Sequence, residues 1–157
     1  MNISILTTDG EFVTLCEVKA YLKVNGTDRD GFIVDCIKSA ISFVEKKIDR
    51  SLLDHTVRYI TNNDYTFMLP LSDIVSVESV TDYLSGNDID YALSSDKRVL
   101  TIANTMQVDI NYTTQAIVSH EAKVAVLALI SLLYDGITDV EKWNTVLYRY
   151  LNNYMPL

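Results

Sequence analysis

The stretch from Asp28 to Arg50 constrains the fold of this 157-residue chain most strongly. At about 100° per residue its aliphatic side chains fall on one side of a helix: Ile33, Ile37, Ala40, Ile41, Val44 and Ile48. Three further apolar side chains lie beside this stripe: Phe32, Cys36 and Phe43. They widen the apolar face to roughly half of the helix circumference. An acidic residue at its start, Asp28 or Asp30, can cap the first free N–H groups. A helix this apolar needs more than one packing partner.

Three further helices are predicted around this one. Thr14 and Glu17 have capping-box spacing, and Asn25-Gly26 offers a left-handed stop. Nine of the ten residues from Val124 to Leu133 are apolar, so that helix should be covered on several sides. Thr138 and Glu141 repeat the capping-box spacing before a last helix. The predicted helices therefore span about 14–24, 28–50, 119–135 and 138–153.

Between the helical halves the apolar period changes from that of a helix to that of a strand. Tyr65, Phe67 and Leu69 alternate with less apolar neighbours, and turn-forming residues separate several similar runs. Five or six short strands predict an antiparallel meander or small barrel, inserted at about 54–114. Residues 1–13 are predicted to be an extended or mobile lead-in. The fold class is thus α+β, a single domain over 1–157 with a helical core of about four helices.

The net charge of −8 is concentrated in the middle of the chain. Residues 51–117 carry nine acidic and three basic side chains, a net charge of −6. No Lys/Arg cluster is present, so specific nucleic-acid binding is not expected. The acidity has two interpretations that the sequence leaves open. It protects exposed strand edges from aggregation, or it forms a surface that faces a polyanion without holding it.

The sequence contains no recognisable catalytic or metal-binding motif. His55 and His120 lie apart and are expected at the surface or at a helix end. Cys16 and Cys36 are expected to be free buried thiols rather than a CxxC pair. Acid pairs such as Asp88 and Asp90 could be imagined as a glycosidase couple, but the 21 acidic residues offer many accidental pairs. We therefore predict no catalytic residue, no metal and no cofactor. The start shows no signal peptide, and the longest apolar run is too short to cross a bilayer.

The C-terminal segment is rich in aromatic side chains. Tyr148, Tyr150 and Tyr154 accompany Arg149, and Tyr and Arg are common in interface hot spots. Core packing explains part of this pattern, but Tyr148 and Arg149 lie off the apolar stripe of the last helix. Core and interface both remain open at this point.

Three segments together resemble the head–tail connector adaptor family of tailed bacteriophages. They are TLCEVKAYLKV from Thr14 to Val24, the acid-led helix from Asp28 to Ile48, and the apolar helix ending in LLYDG at Gly136. The matching side chains are Leu15, Glu17, Val18, Lys19, Tyr21 and Leu22 in the first element, and Ile33, Ile37, Ala40 and Val44 in the second. The strand pattern around LPLSDIVSVESV is also similar to longer members. The resemblance covers about residues 14–135.

This resemblance implies a structural virion protein without enzymatic activity. It implies a ring, typically a dodecamer, that docks under the portal protein at the head–tail junction, extends the DNA channel and receives the next tail-completion or stopper protein. DNA would pass without specific binding, no membrane is involved, and synthesis would occur in the cytoplasm of the bacterial host. The alternatives are another tail-completion or stopper protein, or a small carbohydrate-binding or hydrolase domain.

Under this interpretation the candidate surfaces fall into three groups. The candidate interface with the portal or a neighbouring protein comprises Tyr148, Arg149, Tyr150, Tyr154 and Leu157. The candidate inter-subunit helix faces comprise Phe32, Cys36, Phe43, Leu127 and Ile130. The candidate acidic channel or rim comprises Asp82, Asp88, Asp90 and Asp96.

Overall fold

The structure, a computed structural model, describes residues 2–61, 64–117 and 119–154, without the side chains of Thr105 and Tyr154. The chain divides into two compact units. The β unit comprises Met1–Gly10 and Arg50–Ile117, and the helical unit comprises Glu11–Asp49 and Val118–Leu157. Each unit is built from two separate stretches of the chain.

The helical unit contains four α-helices, as predicted. They are α1 (Leu15–Leu22), α2 (Asp30–Ile48), α3 (His120–Tyr134) and α4 (Val140–Leu151), followed by a short 3-10 helix at Asn152–Tyr154. Helix α2 packs against α3, α3 packs against α4, and α1 packs against both α2 and α3. The wide apolar face of α2 therefore meets α1 and α3, and its Phe43 also contacts Trp143 of α4.

The core of the helical unit follows the apolar pattern of α2 and α3. The buried side chains of α2 include Ile33, Cys36, Ala40, Ile41, Val44 and Ile48, whereas Ile37 is only partly buried and Phe32 is exposed. Every residue from Ala122 to Tyr134 in α3 is at least partly buried. This helix is thus covered on several sides, as its composition requires.

The capping box at the start of α1 forms as predicted. The Thr14 hydroxyl accepts a hydrogen bond from Glu17 N at 3.2 Å, and the Glu17 carboxylate accepts one from Thr14 N at 2.9 Å. The same carboxylate forms an ion pair of 2.6 Å with Lys123. The hydrogen bond from Lys123, then the one from the Thr14 backbone, lowers the pKa of Glu17 from 4.5 to about 2.

Three predicted helix ends were wrong. Helix α1 stops at Lys23, which adopts φ +56° in the left-handed region, before the predicted Asn25-Gly26 stop. No acidic side chain caps α2, because Arg29 is its first flanking residue and the Asp30 carboxylate instead binds Lys19 at 2.6 Å. At α4 the cap is Asp139, whose carboxylate accepts a hydrogen bond from Glu141 N at 2.9 Å, and not Thr138. These ends depend on individual backbone and side-chain contacts that residue spacing alone does not show.

The β unit contains seven strands in two antiparallel sheets. The strands are β1 (Asn2–Asp9), β2 (Asp54–Ile60), β3 (Asp64–Met68), β4 (Ile74–Asp82), β5 (Tyr91–Leu93), β6 (Val99–Met106) and β7 (Val108–Thr114). The first sheet has the order β1-β2-β7-β4 and the second the order β3-β6-β5. Neither sheet closes into a barrel, and the order differs from a simple meander because β7 lies between β2 and β4. The lead-in forms β1, which pairs with β2.

Alternation of side chains builds the core of the β unit. On β7 the residues Val108, Ile110 and Tyr112 are buried and their sequence neighbours are only partly buried. The Tyr112 hydroxyl donates to the Pro70 carbonyl oxygen at 2.9 Å, which satisfies the one polar atom of this buried ring. Pro70 itself follows β3, where no ladder hydrogen bond is required of it.

Candidate interaction surfaces

Helix α4 has one buried face and one exposed face. Leu147 is fully buried, and the Trp143 ring meets the Phe43 ring edge-on at 5.1 Å between centroids. Tyr148 and Arg149 are exposed on the other side of the helix, and Tyr150 is partly buried. The two residues that lie off the apolar stripe are therefore available to a partner. The other two predicted residues of this group, the Tyr154 side chain and Leu157, lie outside the described residues.

The predicted inter-subunit helix faces differ widely in exposure. Cys36 and Ile130 are buried within the chain, and Phe43 and Leu127 are partly buried, so these four contribute mainly to the core. Desolvation, with a smaller effect of the Asp35 charge, raises the pKa of the Cys36 thiol. Cys16, which was also predicted to be buried, is exposed, so that prediction was wrong. Phe32 is the member of the group that the structure exposes.

Phe32 belongs to a small aromatic–cationic cluster. Its ring lies 5.9 Å from the Tyr134 ring, and the Arg29 guanidinium lies 5.5 Å from the centroid of the same tyrosine. Arg29 Nη1 also donates to the Tyr134 hydroxyl at 3.2 Å. Residues of these three types supply large contact areas with defined orientation, which suits a binding surface.

The predicted acidic residues lie on the turns at either end of β5. Asp88 and Asp90 are exposed between β4 and β5. The Asp82 carboxylate accepts hydrogen bonds from Leu84 N at 2.9 Å and Ser85 N at 2.6 Å, and hydrogen bonds from Ser85 and Leu84 lower its pKa. The Asp96 carboxylate organises the other turn, and the hydrogen bond from the Ser94 hydroxyl, then one from the Arg98 backbone, lowers its pKa. Asp82 and Asp96 thus also build local structure.

Several basic side chains of the β unit are already engaged. Arg50 donates two hydrogen bonds to Asp73, at 2.9 and 2.6 Å. Arg58 forms a bidentate pair with Asp109, and the hydrogen bonds raise the pKa of its guanidinium. Lys97 Nζ donates to the Val75 carbonyl oxygen at 2.6 Å. Arg50 and Arg58 are thus neutralised by ion pairs, whereas Lys97 keeps its charge because its acceptor is a neutral carbonyl oxygen.

Several exposed apolar features of the β unit were not singled out from the sequence. Strand β1 exposes Ile3, Ile5 and Leu6, and the turn after β4 exposes Tyr83 and Leu84. The alternation in NISIL gave a usable signal for a strand. The turn gave none, because a lone leucine beside Ser-Gly-Asn has no periodicity.

His55 was predicted at the surface, and this prediction was wrong. Its side chain is buried on β2, with Nδ1 3.1 Å from the Thr8 hydroxyl. It lines an open cavity of about 440 Å³ together with Asp9, Asp54 and Thr114. Within the described ranges no three His, Cys, Asp or Glu side chains converge to hold a metal ion. In the same part of the chain, no helix combines the length and apolarity that crossing a membrane requires.

Comparison with known proteins identifies one family and one shared fold. The model of the head completion protein family matches residues 11–142, which includes all the residues on which the resemblance rests. A chain in the virion of a native gene transfer agent (GTA) particle shares the fold with a TM-score of 0.67 at 17% identity, over 86% of this chain and 84% of that one. A chain in the neck of a native GTA particle, computed with C12 symmetry, does so with a TM-score of 0.67 at 15% identity, over 91% and 94%. No curated protein matches by sequence.

Proposed function

This chain belongs to the head completion protein family, and from that premise we propose that it is a ring-forming subunit of a virion neck. The ring docks under the portal protein at the head–tail junction, extends the DNA channel and receives the next tail-completion protein. Its role is structural, and it has no catalytic activity. The subunit is made in the cytoplasm of the bacterial host and joins the virion during head completion.

One observation carries this proposal: the fold matches a neck chain over nearly its whole length. The neck structure was computed with C12 symmetry, and the match covers 91% of this chain and 94% of that one. A cyclic ring of identical subunits needs two different complementary surfaces on each copy. Exposed apolar and aromatic groups on both units of this chain supply candidates for such surfaces.

We assign the exposed face of α4 to contact with the portal or a neighbouring protein. Tyr148 and Arg149 combine a large apolar area with polar groups, and neither is needed for the core, since Leu147 and Leu151 fill that role. The cluster around Phe32 supplies a second exposed aromatic surface, which we assign to a neighbouring subunit.

The acidic turns of the β unit face the DNA channel or its rim. Because Asp88 and Asp90 are exposed while Arg50 and Arg58 are held in ion pairs, the surface repels a phosphate backbone. Counterion release, which drives nucleic-acid binding, requires free cationic side chains. DNA therefore slides past this surface without being retained.

The mass of the purified protein, alone and mixed with the portal complex of the same virion, tests the proposal. Light scattering or native mass spectrometry should show a ring, or a monomer that joins the portal in the twelve copies expected from C12 symmetry. A monomer that ignores the portal would refute the adaptor role. A monomer that instead binds only tail-side proteins would make it a stopper.

A matched pair of variants locates the portal contact. Tyr148→Ala should weaken portal binding by about 2 kcal/mol, or roughly thirtyfold, if this side chain is a hot spot. Lys142→Ala changes another exposed residue of the same helix and should leave binding unchanged. Equal affinities of the two variants would move the portal contact away from α4.

A further inference from the structure

One edge of the four-stranded sheet is open and apolar. Ile3 on β1 lies directly opposite Tyr59, and Ile5 lies opposite Val57, so each pair shares one face of the sheet. On β2 these partners are core residues, with 3% and 0% of their surface exposed, yet Ile3 and Ile5 remain 44% and 48% exposed. The apolar face thus continues past the core of the β unit onto β1. We call Ile3, Ile5 and Leu6 the β1 patch.

The opposite edge of the same sheet is closed by the chain itself. Beside β4, Ile89 N donates to the Val80 carbonyl oxygen and Asp82 N donates to the Asn87 carbonyl oxygen, both at 2.9 Å. Nearer the start of the strand, Lys97 Nζ donates a hydrogen bond to the Val75 carbonyl oxygen. Backbone pairing by another strand is therefore blocked along much of β4. What this edge offers a neighbour is the turn that follows the strand.

That turn exposes an apolar side chain on a backbone that hydrogen bonds hold in place. Leu84 is 87% exposed, the most of any large apolar side chain in the described part of the chain. The Asp82 carboxylate fixes its backbone by accepting from Leu84 N and Ser85 N, and Gly86 N donates to the Asp82 carbonyl oxygen at 2.8 Å. A preordered apolar tip loses little conformational entropy on binding. We call residues 83–86 the Leu84 turn.

This inference rests on the ring of the proposed function. Together with that ring, these observations point to one contact between subunits. We propose that the Leu84 turn of one copy packs on the β1 patch of the next. The two surfaces lie at opposite edges of one four-stranded sheet, in the order β1-β2-β7-β4. A contact between two different surfaces is heterologous, and repetition of it with a fixed rotation closes a ring.

The absence of charge on both surfaces suits a second copy of this chain as the occupant. Copies that each carry a net charge of −8 repel one another, so they associate best where both surfaces are uncharged. No charged residue occurs from Asn2 to Thr8, and none occurs from Tyr83 to Asn87. A basic partner would gain more from the neighbouring acids Asp88 and Asp90 than from either of these patches.

Site-directed cross-linking of the assembled ring tests the contact. In a Cys16→Ser background, which removes the exposed native thiol, Ile5→Cys and Leu84→Cys are made separately and together. The double variant, treated with a short bismaleimide in the ring or on the portal, should give a ladder of covalent oligomers. An equal mixture of the two single variants should give covalent dimers, and each single variant alone should stay monomeric.

Controls separate failure of this contact from failure of the ring. Ser95→Cys, exposed on the turn after β5, replaces Leu84→Cys in the matched control and should give no ladder with Ile5→Cys. A ring of confirmed mass that gives no Ile5–Leu84 cross-link would overturn the contact and leave the adaptor role intact. Dimers from Ile5→Cys alone would overturn it in favour of a two-fold β1–β1 contact. A chain that stays monomeric with and without portal would overturn both proposals.

A second variant measures how much the Leu84 turn contributes to the free energy of assembly. Leu84→Ala removes an exposed side chain and should leave the thermal unfolding of the monomer unchanged. The concentration for half-assembly should nevertheless rise about tenfold or more, since the contact loses apolar burial. An unchanged assembly concentration would show that the turn lies outside the interface.

Discussion

Truncation of Ile33 gives a quantitative test of the helical core. This side chain is fully buried on α2, and Ile33→Ala removes three carbon atoms. At about 0.8 kcal/mol per buried methylene, their transfer accounts for about 2.4 kcal/mol. The cavity left behind adds to this, so we expect a loss of about 3–4 kcal/mol in the free energy of unfolding. For a chain of this size the melting temperature should fall by about 6–16 °C.

Ile37→Ala is the matched control, because it makes the same substitution one turn further along the same helix. Ile37 is only partly buried, so its loss should cost about half as much or less. Trp143, the one tryptophan of the chain, lies in the helical unit against Phe43 and reports its unfolding in urea by fluorescence. Equal costs at both positions, or a negligible cost at Ile33, would refute this description of the α2 face.

Three further changes test individual contacts. Asp139→Ala should destabilise the helical unit by about 1 kcal/mol in urea unfolding, whereas Thr138→Ala should not, because Asp139 caps α4. Glu17 has its pKa lowered to about 2 from 4.5, so its stabilising effect is complete above about pH 5 and is lost as the pH falls through about 2. The difference in unfolding free energy between wild type and Glu17→Gln should shrink over that range. Thr114→Val leaves the buried Ser51 hydroxyl without its 2.7 Å partner and should cost about 1–3 kcal/mol in thermal unfolding.

The sequence predicted the family and the fold class, and both are confirmed. Four helices and the six strands within the β insertion could be found because apolar periodicity is a local property. The helix ends were less predictable. At α2 the Asp30 carboxylate binds Lys19 on α1 instead of its own helix start, and a single sequence does not show such a contact between helices.

Strand order and edge exposure depend on contacts between residues far apart in the chain. Strand β1 pairs with β2 across more than forty residues, and β7 enters between β2 and β4. Alternation in NISIL marks a strand but does not name its partner. The exposure of Ile5 and Leu84 follows from that topology, so neither residue was a candidate before the structure placed both at sheet edges. By contrast, helical spacing was enough to predict the exposure of Tyr148 and Arg149, while their role in an interface stays a prediction.

The distribution of charge connects the two tasks of the proposed ring. The β unit carries ten acidic and four basic residues, and the helical unit eleven and nine, so the excess negative charge lies in the β unit. Under the proposed function the acids on the turns repel DNA, but they also make identical subunits repel one another. At physiological ionic strength this repulsion is screened beyond about 8 Å, whereas apolar contact acts only at the contact itself. In the proposed ring, uncharged patches at the two edges of an acidic sheet therefore allow assembly without neutralising the surface that is proposed to keep DNA mobile.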